Sequence, residues 1–206
     1  MGNGARLCRS TCLWTHSAAP VRPQGMIERD ASPELLMSPK EQELRDKLVR
    51  NFNRAELTRD ERAPLYAGAA ARLARGTAAA KLGITIDIVD PGKRSCPYHF
   101  HYAQEEAFVV LEGEGTLRVA GEMLAVSAGD TIFIPPGPEY PHQFINTSAA
   151  PLKYLSISTR ESPEVVEYPD SGKYLAMAQG TLHGAPHAFG RMHREKDDLD
   201  YWDGEP

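Results

Sequence analysis

His99 and His101, two residues apart, with Glu106 shortly after them and His142 further on, are the residues of this chain whose types and spacing suit chemistry best. Side chains at i and i+2 of a β-strand leave the same face, so the two histidines point into one space. Imidazoles bind first-row transition metals, and three of them with a carboxylate suit one divalent iron, manganese, nickel, zinc or copper ion. His99, His101, Glu106 and His142 are therefore the expected metal ligands. Glu105 competes for the carboxylate position, but inward registry favours Glu106, which then carries Phe108 and Val110 to the same face. Glu106 follows His101 by five residues, so one unbroken strand would aim it the wrong way. A turn through residues 103–105 is needed to return it. Four protein ligands leave one or two positions of a six-coordinate ion for a small molecule. Glu105, Tyr98, Tyr102, Tyr140 and Gln143 are the nearby candidates for acid or base, and none of them is marked out as such.

Such a cluster needs a rigid frame, and the pattern around it is that of short strands. Runs at 97–102, 106–112, 115–120, 123–126, 131–134, 142–146 and 152–158 are separated by EGEG, AGE, SAGD, PPGPEYP and TSAAP, whose glycines and prolines suit tight turns. This spacing predicts an all-β sandwich or barrel, and closing the sheet removes aggregation-prone edges. Upstream, Leu82, Ile84, Ile86 and Ile88 alternate with Gly83, Thr85 and Asp87, the period of a half-buried strand. Residues 54–80 read as a loop leading into an edge strand. Before them, Ser38, Pro39 and Glu41 make a capping box that predicts a helix, with Leu44, Leu48, Val49 and Phe52 as an apolar stripe. The expected organisation is a disordered leader over 1–37, a helical or irregular extension over 38–75, a barrel over 76–160 and a C-terminal extension over 161–206. Met1, Met26 and Met37 all remain possible starts.

A chain of 206 residues, 41% hydrophobic, can build one domain with a proper core. Its formal charge of −5 offers no global positive field for phosphate backbones, so nucleic acid is not an expected partner. The longest apolar runs fall far short of the roughly 20 residues of a spanning helix, so no membrane partner is expected either. Three cysteines, Cys8, Cys12 and Cys96, make no even disulfide framework, which with the missing signal-peptide core suggests a cytoplasmic protein. Cys96 reads as a small buried residue. His183, His187 and His193 read as solvated. Tyr201 and Trp202, set in the acidic tail of Asp197, Asp198, Asp200, Asp203 and Glu205, suggest an anchor docking on the barrel or on a second subunit, hence a homodimer.

Gly92, His99, His101, Glu106 and Gly113 match the first motif of the cupin superfamily with one extra residue before the first histidine. Gly129, Pro135, Gly137, His142 and Asn146 match the second, with two extra residues lengthening the PEYP loop. The chain thus resembles cupins, and ESPEVVEYPDSGK and DYWDGE look similar to small bacterial single-domain members, most of them without an assigned activity. The resemblance implies a jelly-roll barrel, a double-stranded β-helix, holding one divalent transition metal on His99, His101, Glu106 and His142. It implies a small-molecule ligand or substrate, with dioxygenase, decarboxylase and isomerase chemistry all represented in the superfamily. The expected function is that of a metal-dependent enzyme on a small polar or carbonyl-containing metabolite; the alternative is a non-catalytic binding or sensing protein with a structural metal.

Overall fold

Residues 37–206, apart from 183, 184, 195 and 197, are described by a computed structural model made mainly of antiparallel strands. The helix α1 (Pro39–Leu48) starts where the capping box requires: the Glu41 backbone N–H donates to Ser38 Oγ, and the Ser38 N–H donates to the Glu41 carboxylate. The apolar stripe is not buried, however. Leu44 and Leu48 are exposed, and no residue of the helix is buried within the described chain.

The strands, in chain order, are β1 (Thr58–Arg62), β2 (Tyr66–Arg72), β3 (Leu82–Val89), β4 (Phe100–His101), β5 (Glu106–Glu112), β6 (Glu114–Val119) and β7 (Glu122–Ser127). They continue with β8 (Thr131–Ile134), β9 (His142–Ile145), β10 (Leu152–Thr159), β11 (Glu164–Tyr168), β12 (Lys173–Leu182) and β13 (Ala185–Arg194). One sheet has the order β1-β2-β3-β10-β5-β8. Facing it, β13-β12-β11-β4 and β7-β6-β9 are joined by a bridge between His99 and His142. Two such sheets enclosing one interior form the jelly-roll barrel expected from the strand spacing.

The core lies between these sheets and includes Val89, Phe108, Val110, Leu117, Phe144, Leu152 and Tyr154. Phe144 stacks on Tyr154 with ring centroids 4.4 Å apart and meets Phe108 edge-on at 5.0 Å. Each large apolar side chain buried here contributes about 1.5–3 kcal/mol. At the β5–β6 turn Gly113 has φ +83°, and a Cβ there would stand 2.4 Å from the Pro151 carbonyl oxygen, so both the backbone conformation and the space call for glycine.

Three differences from the sequence reading have physical causes. Residues 54–80 contain the hairpin β1–β2 rather than a loop and a single edge strand; β2 pairs along β3 with Gly68 opposite Val89 and Ala71 opposite Ile86. The helix propensity of an alanine-rich run is overridden by the unpaired edge that β3 offers. In β3 itself, Asp87 lies opposite Tyr154, which lies opposite Val110, so Thr85, Asp87 and Val89 share the interior face. Ile86, on the other face, has no exposed surface, and the strand is covered on both sides rather than half-buried. Beyond residue 160, β11 pairs with β4, and the long hairpin β12–β13 extends that sheet. Val165 and Val166 lie in β11 as expected, whereas the hairpin carried too little apolar alternation to be read. Tyr201 and Trp202 are 83% and 69% exposed and so are not docked on the barrel. His187 and His193 are exposed, as expected, while the leader through residue 36 and His183 lie outside the described residues.

Candidate metal centre

His99 and His142 exchange both backbone hydrogen bonds, His99 N–H to His142 O at 3.2 Å and His142 N–H to His99 O at 2.8 Å. Directly opposed residues of an antiparallel pair put their side chains on one face, and both imidazoles enter the interior, 7% and 2% exposed. Glu106 arrives from the facing sheet at the start of β5, 3% exposed. Ligand atoms of His99, Glu106 and His142 all lie within 4.8 Å of one another. His101 stands beside this trio, its Nε2 3.5 Å from Glu106 Oε2. Glu105 is exposed, so the geometry selects Glu106 over its neighbour.

The turn that must bring Glu106 back is held by a residue the sequence reading did not single out. Glu164, at the start of β11, accepts the backbone N–H groups of Tyr102, Ala103 and Gln104 at 3.0, 3.4 and 2.7 Å. Its side chain is fully buried, and Oε1 lies 3.8 Å from His101 Nδ1. One carboxylate thus fixes the bend between two site residues and faces the far side of one imidazole. No local signal marks it: a glutamate after Ser-Pro at a strand start looks like any other.

The rings are oriented by what their outer nitrogens meet. His99 Nδ1 lies 2.9 Å from the Pro97 carbonyl and His142 Nδ1 3.3 Å from that of Tyr140. A carbonyl only accepts, so each Nδ1 donates to it and each Nε2 is turned to the interior. There His142 Nε2 and Glu106 Oε2 lie 3.0 Å apart. Neither these atoms nor either ring nitrogen of His101 has an aligned hydrogen-bond partner. Buried polar atoms left unpaired cost about 1–3 kcal/mol each, and ring nitrogens converging with a carboxylate in a dry interior fit a cation between them. The donor set of imidazole and carboxylate suits a divalent transition metal.

Glu106 is held as an anion, which a cation would answer, whereas His99 keeps its proton in competition with one. Burial would raise the Glu106 carboxyl, but the neighbouring His101, His142 and His99 outweigh it and hold the group down at about 2, as an anion. Burial likewise disfavours a charged His99 ring; Cys96, whose Sγ is 3.8 Å from Nδ1, then Glu106 and the Pro97 carbonyl overcome this and raise it to about 9. Cys96 is buried, as expected of a small core residue.

The residues proposed from sequence as acids or bases have other occupations. Tyr98 is buried and its hydroxyl accepts the Gly121 N–H; Tyr102 is half-exposed and donates to Glu167. Gln143 donates to the Cys96 carbonyl at 2.5 Å, and Tyr140 is exposed. Asn146 is structural: its side-chain amide donates to the Val89 and Ala150 carbonyls and its oxygen accepts from Ser148. The buried carboxyl that the sequence reading passed over is Asp87, pushed up to about 8 by burial first and then by Cys96 and Glu106, against the pull of Arg72. The signal for it was an acidic residue inside an otherwise apolar strand.

Comparison with known proteins agrees with this geometry. Residues 85–158 match the family model described as a cupin domain. An uncharacterised protein, MJ1618, of Methanocaldococcus jannaschii is 40% identical over 73 residues, which is 34% of this chain and 57% of that protein. The chain therefore spans a little over half the length of the curated relative it matches. Among solved structures, a candidate sugar phosphate isomerase from Acidithiobacillus ferrooxidans superposes with a TM-score of 0.60 at 24% identity, over 80% of this chain and 95% of that one. A cupin-superfamily sugar phosphate isomerase from Silicibacter pomeroyi gives 0.60 at 21%, over 74% and 96%. At these identities the likeness is one of fold. The match to the cupin-domain model thus lies on the strands that carry Glu106 and His142, and the barrel has the fold of these cupin structures.

Proposed function

We propose that the protein is a metal-dependent enzyme acting on a small polar or carbonyl-containing metabolite, with His99, His101, Glu106 and His142 holding one divalent transition metal. The observation that carries this reading is the meeting of buried ligand atoms without an aligned hydrogen-bond partner: His142 Nε2 and Glu106 Oε2 at 3.0 Å, with His101 Nε2 3.5 Å from the same oxygen. When bound, such a metal supplies Lewis-acid polarisation of a ligand oxygen or, for iron and manganese, electron transfer. The chain's own groups do the rest. Phe108, in contact with His142, and Tyr168, stacked on His99, wall the centre and exclude water. Thr85 and Ser156, buried and directly paired across β3 and β10, give the interior polar faces for orienting a ligand. Asp87, held protonated through neutral pH by its burial, is an interior carboxyl outside the ligand set and within electrostatic reach of Glu106, a candidate to give or take a proton.

The test is turnover of a panel of small hydroxy-acid, keto-acid and sugar substrates by metal-loaded wild type and His101→Ala. Turnover that disappears together with the metal is expected. Undiminished turnover after chelation contradicts the metal-dependent reading, and saturable ligand binding with no turnover across the panel favours a sensing role instead.

A further inference from the structure

Apart from the metal centre, three guanidinium groups line one cavity. Arg72 at the end of β2, Arg75 in the turn after it and Arg160 just beyond β10 surround a space of about 290 Å³, together with Thr77, Gly83 and the buried Thr85. Three like charges around one space repel each other unless an anion answers them. Arg72 has the carboxyl of Asp87 within electrostatic reach. Among the described residues neither Arg75 nor Arg160 has an ion-pair partner.

A second observation ties this cavity to the barrel interior. The Ser158 hydroxyl is buried, 1% exposed, and has no hydrogen-bond partner. It lies 2.9 Å from where a side chain on Gly83 would begin, with Arg160 Cγ 3.8 Å from the same point. Any other residue at 83 would fill the space between the hydroxyl and the arginine; glycine leaves it open. Gly83, Ser158 and Glu106 also form one row across the sheet, Gly83 opposite Ser158 and Ser158 opposite Glu106. Two interstrand spacings place the cavity wall roughly 10 Å from Glu106, a distance that a small extended metabolite spans.

We propose that the cavity of Arg72, Arg75 and Arg160 is an anion subsite that takes the phosphoryl group of a small metabolite whose other end reaches the metal centre. Guanidinium forks match phosphoryl oxygens two at a time, and a dianion answers more of this positive charge than a single carboxylate does. Ser158 stands behind the Gly83 wall of that cavity with an unpaired hydroxyl. The placement of the metabolite's far end rests on the metal-centre reading, whereas occupancy of the subsite does not.

The test is calorimetric titration of chelator-treated full-length protein with inorganic phosphate at low ionic strength, with malonate as the carboxylate comparison. One saturable phosphate site is expected, weakened about tenfold by Arg75→Gln and by Arg160→Gln. Both side chains sit on exposed residues, so the variants should keep the wild-type melting temperature. Arg118→Gln, whose guanidinium is engaged by Asp170 elsewhere, should bind as wild type does. Absence of saturable binding, equal affinity in all variants, or malonate binding at least as tightly as phosphate would overturn the proposal. Phosphate binding that persists in a protein that takes up no metal supports the subsite while counting against the metal-centre reading.

Discussion

Glu106 and His142 turn ligand atoms toward each other across 3.0 Å of dry interior, and individual residues around them carry opposite electrostatic burdens. Asp87 is the clearest case, because its folded-state pKa of about 8 lies above that of an exposed carboxyl. The folded protein then holds this proton between about pH 4 and 8 while the unfolded chain releases it. The contribution of Asp87 to stability is therefore fully present below the unfolded pKa and is lost as pH rises through the folded one. Asp87→Asn, which cannot ionise, should leave stability nearly unchanged at pH 4 to 5 and raise it at pH 8 and above by an amount on the order of a few kcal/mol, seen as a higher melting temperature. Thermal melts of both proteins across that range check this; a difference independent of pH would mean that Asp87 is not buried as a neutral acid. His99 and His101 were legible at this scale from their spacing and the strand period. His142 enters as a downstream histidine matching the second cupin motif, and its pairing opposite His99 is what brings it to the same interior. Asp87 was not legible, because strand alternation gives two faces without saying which one looks inward, and the isoleucines of β3 suggested the wrong one.

At the scale of elements, the site depends on how one bend is held. The chain must reverse its facing between His101 and Glu106, and the sequence showed that a turn was required without showing what secures it. Glu164 does so from β11, sixty residues downstream of Gln104, and a contact of that separation leaves no trace in local pattern. Glu164→Ala strips the buried Gln104 N–H and the Ala103 N–H of their acceptor, while the Tyr102 N–H keeps the Val165 carbonyl, so a stability loss of about 1–3 kcal/mol in urea unfolding is expected. Loss of support for a ligand-bearing turn and for the far side of His101 should also weaken metal binding about 10- to 100-fold. A variant with wild-type stability and metal affinity would show that the turn holds itself. The strands from β5 to β10 were legible within a residue or two because glycine and proline punctuate them. Hairpin β1–β2 was hidden by alanine propensity, and β12–β13 by its lack of alternation.

For the whole molecule, two sheets contribute to one centre: Glu106 comes from one, and the histidines from the segment where the two parts of the other meet. A bound cation would tie the sheets together as well as serve chemistry, adding stability in proportion to its occupancy. The exposed side chains of Leu44 and Leu48 on α1 and of Tyr201 and Trp202 near the C-terminus are apolar surface of the kind that association covers. We expect a homodimer, and sedimentation equilibrium at micromolar concentration should give twice the chain mass of 22.7 kDa; a single-chain mass would exclude it. Among the described residues no helix is long and apolar enough to cross a membrane.

Elemental analysis of the freshly isolated protein tests the central claim most directly. About one equivalent of a divalent transition metal per chain is predicted for the wild type and for Glu105→Gln, whose carboxylate is exposed, with at least a tenfold loss in Glu106→Gln and in His142→Ala. Wild-type protein that carries no metal and takes up none on dialysis, or variants that keep it in full, would contradict the account.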